Sequence, residues 1–341
     1  MRTTISRLFV GAGLIGLIAA VLLLSDWHQR KAKAKANAAS SLAKKWKVHI
    51  IEYVATVDTE EGERGVLTGL RDAGLVEGRD YDVHVRNAQG DMPAVSALVD
   101  TAVTEGADLL ITITTPALQA ALRRGKGTPI VFSVVSDAIA AGAGRSDNDH
   151  LPNVTGVHYQ GAYPEMLRLM RENFPSVRVL GTLFAPAEIN MVREKDRLLE
   201  AARQTGIEIV ALAVNSSGEM GDAALSLVNR RIDAICNLPG NLTSAGFPTL
   251  VAAARDRQIP IFTFHSAQAR QGAIVALARD YFDSGREAGL LAARVMRGEN
   301  PGKIPFQAHS KNKLMVNLEA ARNIGLTVPS TLIEKAEVIG K

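Results

Sequence analysis

The sequence is poor in residues that support redox or metal chemistry. Among its 341 residues there is one cysteine, Cys236, so no disulfide can form within the chain. The seven histidines are scattered, and none are paired at the H-x-H or H-x-x-x-H spacing of a metal site. The G-x-S-x-G nucleophile motif and the G-x-x-x-x-G-K-[ST] phosphate loop are both missing. We therefore expect no metal, no cofactor and no catalytic activity.

The excess of positive charge lies in one short stretch. The formal net charge is +4, but seven lysines and arginines crowd into positions 30–47: Arg30, Lys31, Lys33, Lys35, Lys44, Lys45 and Lys47. The rest of the chain carries no pattern typical of a nucleic-acid-binding face, so we expect no nucleic-acid partner. With 47% hydrophobic and 22% charged residues, the chain is suited to a substantial core and more than one domain.

An uncharged apolar run occupies positions 8–24 and follows two arginines, which is typical of a signal peptide or a membrane anchor. The nearest small-residue cleavage site, at 36–38, lies well beyond the run, and no cysteine follows for lipid attachment. These features favour an uncleaved anchor at 1–25 and a charged Ala/Lys tether at 26–46. The excess of Lys and Arg after the run opposes export of the following domain. Glycines within the run match G-x-G-x-x-G, but no amphipathic helix follows, so the match is attributed to chance.

The remainder alternates between strand-like and helix-like segments. Strands are predicted at 48–54, 80–85, 109–114 and 130–135, and the pattern restarts after position 153 with strands at 177–184, 207–214, 233–237 and 260–264. Such alternation predicts an α/β protein with parallel sheets and crossover helices, and two lobes are more economical than one very wide sheet. A further strand is predicted at 273–278, a long helix at 281–297 and a short strand at 313–317, and these elements would complete the lobes. The chain would then cross between them more than once, forming a hinge.

Polar side chains follow many of the predicted strands. The candidate ligand-binding residues are Tyr53, Thr114, Thr115, Ser136, Asp137, Glu188, Asn190, Asn241 and His265. Ligands in open α/β sheets bind at the carboxyl ends of the strands, and these residues offer many hydrogen-bonding groups and few charges. That combination favours holding a small polar molecule over transforming one.

Several of the candidates also have a structural explanation. Thr114 precedes Thr115 and Pro116 as an ordinary helix start, and Asp137 suits a turn cap. Glu188 suits the first turn of a helix, where the dipole favours an acid. In a hydrolase, Asp137 and Glu188 could instead serve as acid and base. Their shared position at strand ends is the argument for a binding site.

Several segments together resemble one protein family. They include 65–78 (GVLTGLRDAGLVEG), 115–117 (TPA), 186–190 (PAEIN) and 258–262 (QIPIF), and the matching segments run in order from about Lys47 to Pro329. The chain resembles the substrate-binding components of ABC transporters that have the type I periplasmic-binding fold. Within that family it is most similar to the branch whose better-known members take up amino acids such as tryptophan and tyrosine.

The resemblance implies two Rossmann-like lobes with parallel sheets joined by a three-strand hinge. Lobe 1 would comprise 47–152 and 272–305, and lobe 2 would comprise 153–271 and 306–341. The lobes would close on a ligand facing Thr114, Thr115, Asp137, Glu188, Asn190 and Asn241. For an amino acid, the hydroxyls and helix amides at Thr114 and Thr115 suit the carboxylate, and Asp137 or Glu188 suits the ammonium.

The chain departs from the family pattern near its expected ligand. Gly240 stands where the family often has an acid, which removes a candidate ammonium partner, so an amino-acid ligand does not follow automatically. Met191 stands where the family often has serine. Together with Phe247, it is expected to make the pocket more apolar.

The resemblance also implies partners and a location. We expect a monomeric receptor domain that passes its ligand to an ABC permease and its ATPase subunits. It would face the periplasm, tethered to the inner membrane through 8–24, with a cleaved and soluble form as the alternative. A membrane-tethered sensory domain acting with a signalling partner is the competing function. A cleft hydrolase is the third.

Overall fold

The computed structural model describes residues 44–159, 161–309 and 313–340. The predicted anchor at 8–24 and almost all of the predicted tether at 26–46 lie outside these ranges. Among the helices within them, none is both long enough and apolar enough to span a bilayer.

Fifteen strands are found in the described residues, in two large sheets and one hairpin. In chain order they are β1 (Trp46–Glu52), β2 (Tyr81–Asn87), β3 (Leu109–Ile113), β4 (Ile130–Val135), β5 (Gly144–Ser146), β6 (Asp149–His150), β7 (Val154–His158), β8 (Val179–Phe184), β9 (Glu208–Ala213), β10 (Ala234–Asn237), β11 (Ile261–His265), β12 (Val275–Arg279), β13 (Gln307–Ala308), β14 (Lys313–Asn317) and β15 (Glu337–Ile339).

The first sheet has the order β13-β7-β4-β3-β1-β2, and every neighbouring pair in it is parallel. The second has the order β15-β14-β12-β11-β10-β8-β9 and is parallel except where β14 runs antiparallel to β12. Strands β3 and β10 are buried along their whole length, as expected when helices cover both faces of a sheet. The predicted α/β fold with two lobes is confirmed.

Twelve α-helices connect these strands in the described residues. They are α1 (Val57–Asp72), α2 (Met92–Thr104), α3 (Thr115–Arg124), α4 (Tyr163–Asn173), α5 (Ile189–Arg203), α6 (Met220–Val228), α7 (Asn241–Ala245), α8 (Phe247–Asp256), α9 (Ser266–Arg270), α10 (Tyr281–Met296), α11 (Leu318–Asn323) and α12 (Ser330–Ile333).

The lobes do not divide at the residues that were expected. Strands β7 and β13 were assigned to lobe 2, but β7 pairs with β4 and β13 pairs with β7 in the first sheet. Strand β12 was assigned to lobe 1, but it pairs with β11 in the second sheet. The physical reason is that each strand completes the parallel sheet before the chain crosses over. We therefore define lobe 1 as 45–159 and 280–309, and lobe 2 as 161–279 and 313–340. The chain passes between the lobes after β7, after β12 and after β13.

Two helices of lobe 1 pack unusually closely through glycines. A Cβ placed on Gly65 of α1 would lie 2.1 Å from the carbonyl oxygen of Phe282, and one on Gly289 of α10 would lie 2.2 Å from that of Val66. Only glycine permits this approach without displacing backbone. The contact fixes the N-termini of both helices, which carry Asp58 and Tyr281, at the edge of the space between the lobes.

Candidate functional site: a polar cavity between the lobes

A small cavity lies between the carboxyl ends of the two sheets. Lobe 1 contributes Asp58, Thr114, Thr115 and Ser136, lobe 2 contributes Asn190, Asn241 and His265, and Tyr159 and Tyr281 line it where the chain crosses between lobes. The cavity is small, with a volume of about 40 Å³. Six of the nine predicted residues thus meet in one place: Thr114, Thr115, Ser136, Asn190, Asn241 and His265.

Thr114 precedes α3 but does not cap it. Its φ is +82° and its side chain makes no hydrogen bond to the helix. A β-branched residue rarely adopts this backbone conformation, and such strain is concentrated at binding sites. The Thr114 hydroxyl is buried and has no partner in the described structure. The start of α3 therefore places a free hydroxyl and the positive end of the helix dipole at the cavity, an arrangement suited to an anion.

Ser136 reaches the cavity because strand β4 is irregular at its end. The pairing of β4 with β7 shifts register between Phe132 and Val135, and Val134 within this interval has a φ of +56°. An irregularity of this kind changes the direction in which the following side chains point. The Ser136 hydroxyl is buried without a partner, like that of Thr114.

Asp58 is the acidic side chain of the cavity. It lies in the first turn of α1, which begins with a capping box formed by Thr56 and Thr59. Its Oδ2 lies 2.7 Å from Nδ1 of His265 across the lobe interface, whereas its Oδ1 is buried with no partner. Nε2 of His265 lies 3.5 Å from the Tyr281 hydroxyl. Burial raises the pKa of that hydroxyl well above its ordinary value, so Tyr281 remains a neutral phenol.

Glu188 is held by its own lobe. Its Oε2 accepts hydrogen bonds from the backbone N–H of Asn241 at 2.9 Å and from the Asn241 side chain at 2.8 Å, and its Oε1 accepts from the N–H of Leu242 at 2.9 Å. The carboxylate thus caps α7. Asn190 donates to Glu188 at 3.3 Å and leaves its own carbonyl oxygen buried and unpartnered. Glu188 therefore positions Asn190 and Asn241, and these two line the cavity.

Glu188 and Tyr53 line a second cavity between the lobes, with a volume of about 270 Å³. Its walls include Ala185 and Leu242, and Asn241 lines both cavities. Asp137 lines neither cavity. It caps the turn at Ala140 and pairs with a lobe 2 arginine instead.

The glycine at position 240 is explained by its neighbour. A Cβ on Gly240 would lie 1.7 Å from the sulfur of Met191, so the methionine fills the volume that a side chain at 240 would need. Met191 and Phe247 are fully buried, and neither lines the cavity, contrary to the expectation that they would make it apolar. Phe247 belongs to a hydrophobic cluster within lobe 2.

The cavity's unpartnered atoms define what it can hold. Asp58 Oδ1 and Asn190 Oδ1 accept hydrogen bonds, and the Thr114 and Ser136 hydroxyls can donate them. Buried polar atoms are seldom left without partners, so a ligand with a donor at one end and an acceptor at the other would satisfy the set. Among the described residues, no group of three or more His, Cys, Asp or Glu side chains could hold a metal ion.

Sequence reasoning missed Asp58, Tyr159 and Tyr281. Asp58 comes six residues after the end of β1, beyond the strand-end positions where polar groups were sought. A search continued through the first turn of each following helix would have found it. The two tyrosines occupy crossing points of the chain, which only the topology reveals.

A polar cavity between the carboxyl ends of the sheets of two lobes is the architecture of a ligand-binding protein. The sequence matches the profile of the ABC transporter substrate-binding proteins over residues 47–339. The chain belongs to this family. Its members are substrate-binding proteins that act outside the cytoplasm, and the resemblance predicted from the sequence is confirmed.

Among curated proteins, the chain is 26% identical over 290 residues to a "Tyrosine-binding protein" of Clostridioides difficile, covering 85% of this chain and 84% of the relative. Among solved structures, a conserved domain protein of Vibrio cholerae has a TM-score of 0.83 and 26% identity, covering 86% of this chain and 99% of that one. An ABC domain of Streptococcus pneumoniae solved with L-Trp has a TM-score of 0.83 and 24% identity, covering 87% and 100%.

Proposed function

We propose that this chain is the receptor of an ABC importer and that it closes its two lobes around a small polar ligand, an α-amino acid, which it releases unchanged. It would work at the periplasmic face of the inner membrane with a permease and its ATPase subunits. The observation that carries the proposal is the set of unpartnered buried atoms in the cavity, which the two ends of a zwitterion would satisfy.

The ammonium group is assigned to Asp58. Its free Oδ1 faces the cavity and its Oδ2 is engaged by His265, so the carboxylate is oriented before the ligand arrives. A charge-assisted hydrogen bond is stronger than a neutral one, and Asn190 offers a further acceptor nearby. This replaces the sequence-based assignment to Asp137 or Glu188, whose carboxylates are occupied by other partners.

The carboxylate group is assigned to the start of α3. The positive end of the helix dipole favours an anion, and the Thr114 and Ser136 hydroxyls add two donors. No lysine or arginine whose side chain the structure describes lines the cavity. A ligand with one positive and one negative group therefore matches the site better than a simple anion.

The ligand's side chain is assigned to the second cavity. The first cavity is too small for more than an amino acid's main-chain groups, whereas the second has about 270 Å³ and shares Asn241 with it. Tyr53 and Leu242 provide apolar surface, and Gln89 and Asn215 provide polar surface. This composition suits a large side chain, in agreement with the name of the C. difficile relative.

Calorimetric titration of the full chain in detergent with L-tyrosine and, separately, L-tryptophan tests the proposal. We expect Asp58→Asn to weaken binding of whichever amino acid binds by about 10- to 100-fold, the range of a charge-assisted hydrogen bond. The matched control is Asp72→Asn, which removes a lobe 1 carboxylate paired with Arg286 away from the cavity. Equal affinity in Asp58→Asn and the parent would contradict the assignment of the ammonium group.

A further inference from the structure

An ion pair outside the cavity connects the two lobes. Nη2 of Arg197, on α5 of lobe 2, lies 2.7 Å from Oδ2 of Asp137, which follows β4 of lobe 1. The side chains are 28% and 18% exposed, so solvent screens this pair less than a fully exposed surface pair. Neither residue lines the ligand cavity.

Arg197 is held in place by its own lobe. Its other terminal nitrogen, Nη1, lies 2.7 Å from Oε1 of Glu194, whose side chain is fully buried. Oε2 of Glu194 accepts a hydrogen bond from the hydroxyl of Tyr163. Burial raises the pKa of Glu194, while the hydrogen bond from Tyr163 and the charge of Arg197 lower it. A buried carboxylate with two such partners keeps the guanidinium in one orientation whether or not lobe 1 is near.

Both sides of this ion pair are close to a point where the chain crosses between the lobes. Tyr163 is the first residue of α4, directly after the chain crosses from lobe 1 to lobe 2, and the Tyr159 backbone N–H donates to the carbonyl of Val135, two residues before Asp137. The residues that hold Arg197 are therefore adjacent to the crossing about which the lobes turn.

We propose that Asp137 and Arg197 form a preorganised latch, which favours the closed arrangement of the lobes before any ligand binds. Because Glu194 already fixes the guanidinium, closure costs little side-chain entropy at Arg197. The two terminal nitrogens of the planar guanidinium bind one carboxylate from each lobe. The latch sets how often the cleft opens. It acts on any ligand equally, because it makes no contact with the cavity.

The test measures the distance between the lobes without ligand. One spin label is attached at Met92→Cys, an exposed position two residues after Gly90, which lines the lobe 1 side of the second cavity. The other is attached at Ser217→Cys on the lobe 2 side, and the native Cys236 is fully buried. Pulsed electron–electron double resonance measures the distribution of distances between the two labels on the full chain in detergent, with no ligand added. The populations at long and short distance give the ratio of open to closed molecules. We expect Asp137→Asn to raise that ratio about three- to tenfold, the effect of one partly screened charge-assisted bond.

Four variants separate a latch from general damage. Asp137→Asn keeps an oxygen that can accept from Ala140, as Oδ1 now does at 2.8 Å. Arg197→Lys keeps a cation beside Glu194 but cannot span both carboxylates, so it should open the lobes as Asp137→Asn does, and the double variant no further. Asp72→Asn, which removes an ion pair within lobe 1, should leave the distances unchanged. An unaltered distance distribution in Asp137→Asn would overturn the latch whatever the ligand proves to be.

Discussion

At the scale of single residues, the side chain of Met191 occupies the space that a side chain at position 240 would need. Because a Cβ at 240 would overlap the Met191 sulfur, we expect Gly240→Ala to lower the free energy of unfolding by about 1–3 kcal/mol. In a background that already carries Met191→Ser, the same change should cost at least about 1 kcal/mol less, because the space is then free. Chemical denaturation of the parent, both single variants and the double variant measures this coupling. Strict additivity would show that the two positions do not compete for space.

The raised pKa of the buried Glu52 carboxyl should make the stability of the protein depend on pH. Burial raises the pKa of this carboxyl to about 7 from an ordinary 4.5, although the hydrogen bond from Asn87 opposes the shift. The folded state therefore binds a proton more readily than the unfolded state does. This contribution is fully present below about pH 4.5 and is lost as the pH rises through about 7.

Glu52→Gln, which cannot ionise, should remove this contribution. We expect the parent to lose about 1–3 kcal/mol more stability than Glu52→Gln between pH 5 and pH 8. Urea denaturation at both pH values provides the measurement. Parallel pH profiles for the two proteins would contradict the raised pKa.

Individual site residues were predictable where a strand end and the binding edge coincide, as for Thr114, Ser136 and His265. The sequence could not show which carboxylates are already engaged. Glu188 has the position of a ligand-binding acid, but it caps α7 in its own lobe, and Asp137 pairs with Arg197. Asp58 is available because only one of its oxygens has a partner. Such assignments depend on contacts between residues far apart in the chain.

Among the elements, the glycine contact between α1 and α10 makes the clearest prediction. Gly65→Ala would place a Cβ 2.1 Å from the Phe282 carbonyl oxygen, so we expect a loss of about 3 kcal/mol of stability. Gly221 of α6 is the matched control, because a Cβ there meets nothing within 4 Å, and Gly221→Ala should gain about 0.5–1 kcal/mol from helix propensity. Thermal denaturation compares the two. A loss of similar size at both positions would contradict the close packing.

Most elements follow from local patterns, whereas their allocation to lobes does not. Periodicity located the strands that became β1–β4, β8–β12 and β14, because each is an apolar run between turns. Strands β7, β13 and β15 were not predicted. They are short, with two to five residues each, and depend on pairing with strands distant in sequence. The expected lobe boundaries were wrong at β7, β12 and β13 for the same reason.

For the molecule as a whole, two polar contacts between described residues across the interface give the arrangement of the lobes a physical basis: one carboxylate–histidine hydrogen bond and one ion pair. Asp58 with His265 lies at the cavity and Asp137 with Arg197 lies outside it. In this account a ligand adds its own contacts to an arrangement that the latch already favours. A ligand shifts such an equilibrium only through contacts that differ between the open and closed forms.

The central claim, that the cavity between the lobes binds an α-amino acid, is tested most directly by melting the full chain in detergent with each of the twenty L-amino acids at millimolar concentration. A ligand that binds only the folded state raises the melting temperature, so we predict that at least one amino acid raises it by several degrees. The same amino acid should raise the melting temperature much less in Asp58→Asn. The corresponding amine, which lacks the carboxylate, and the corresponding carboxylic acid, which lacks the ammonium group, should each raise it only slightly. Failure of every amino acid to shift the parent would contradict the claim.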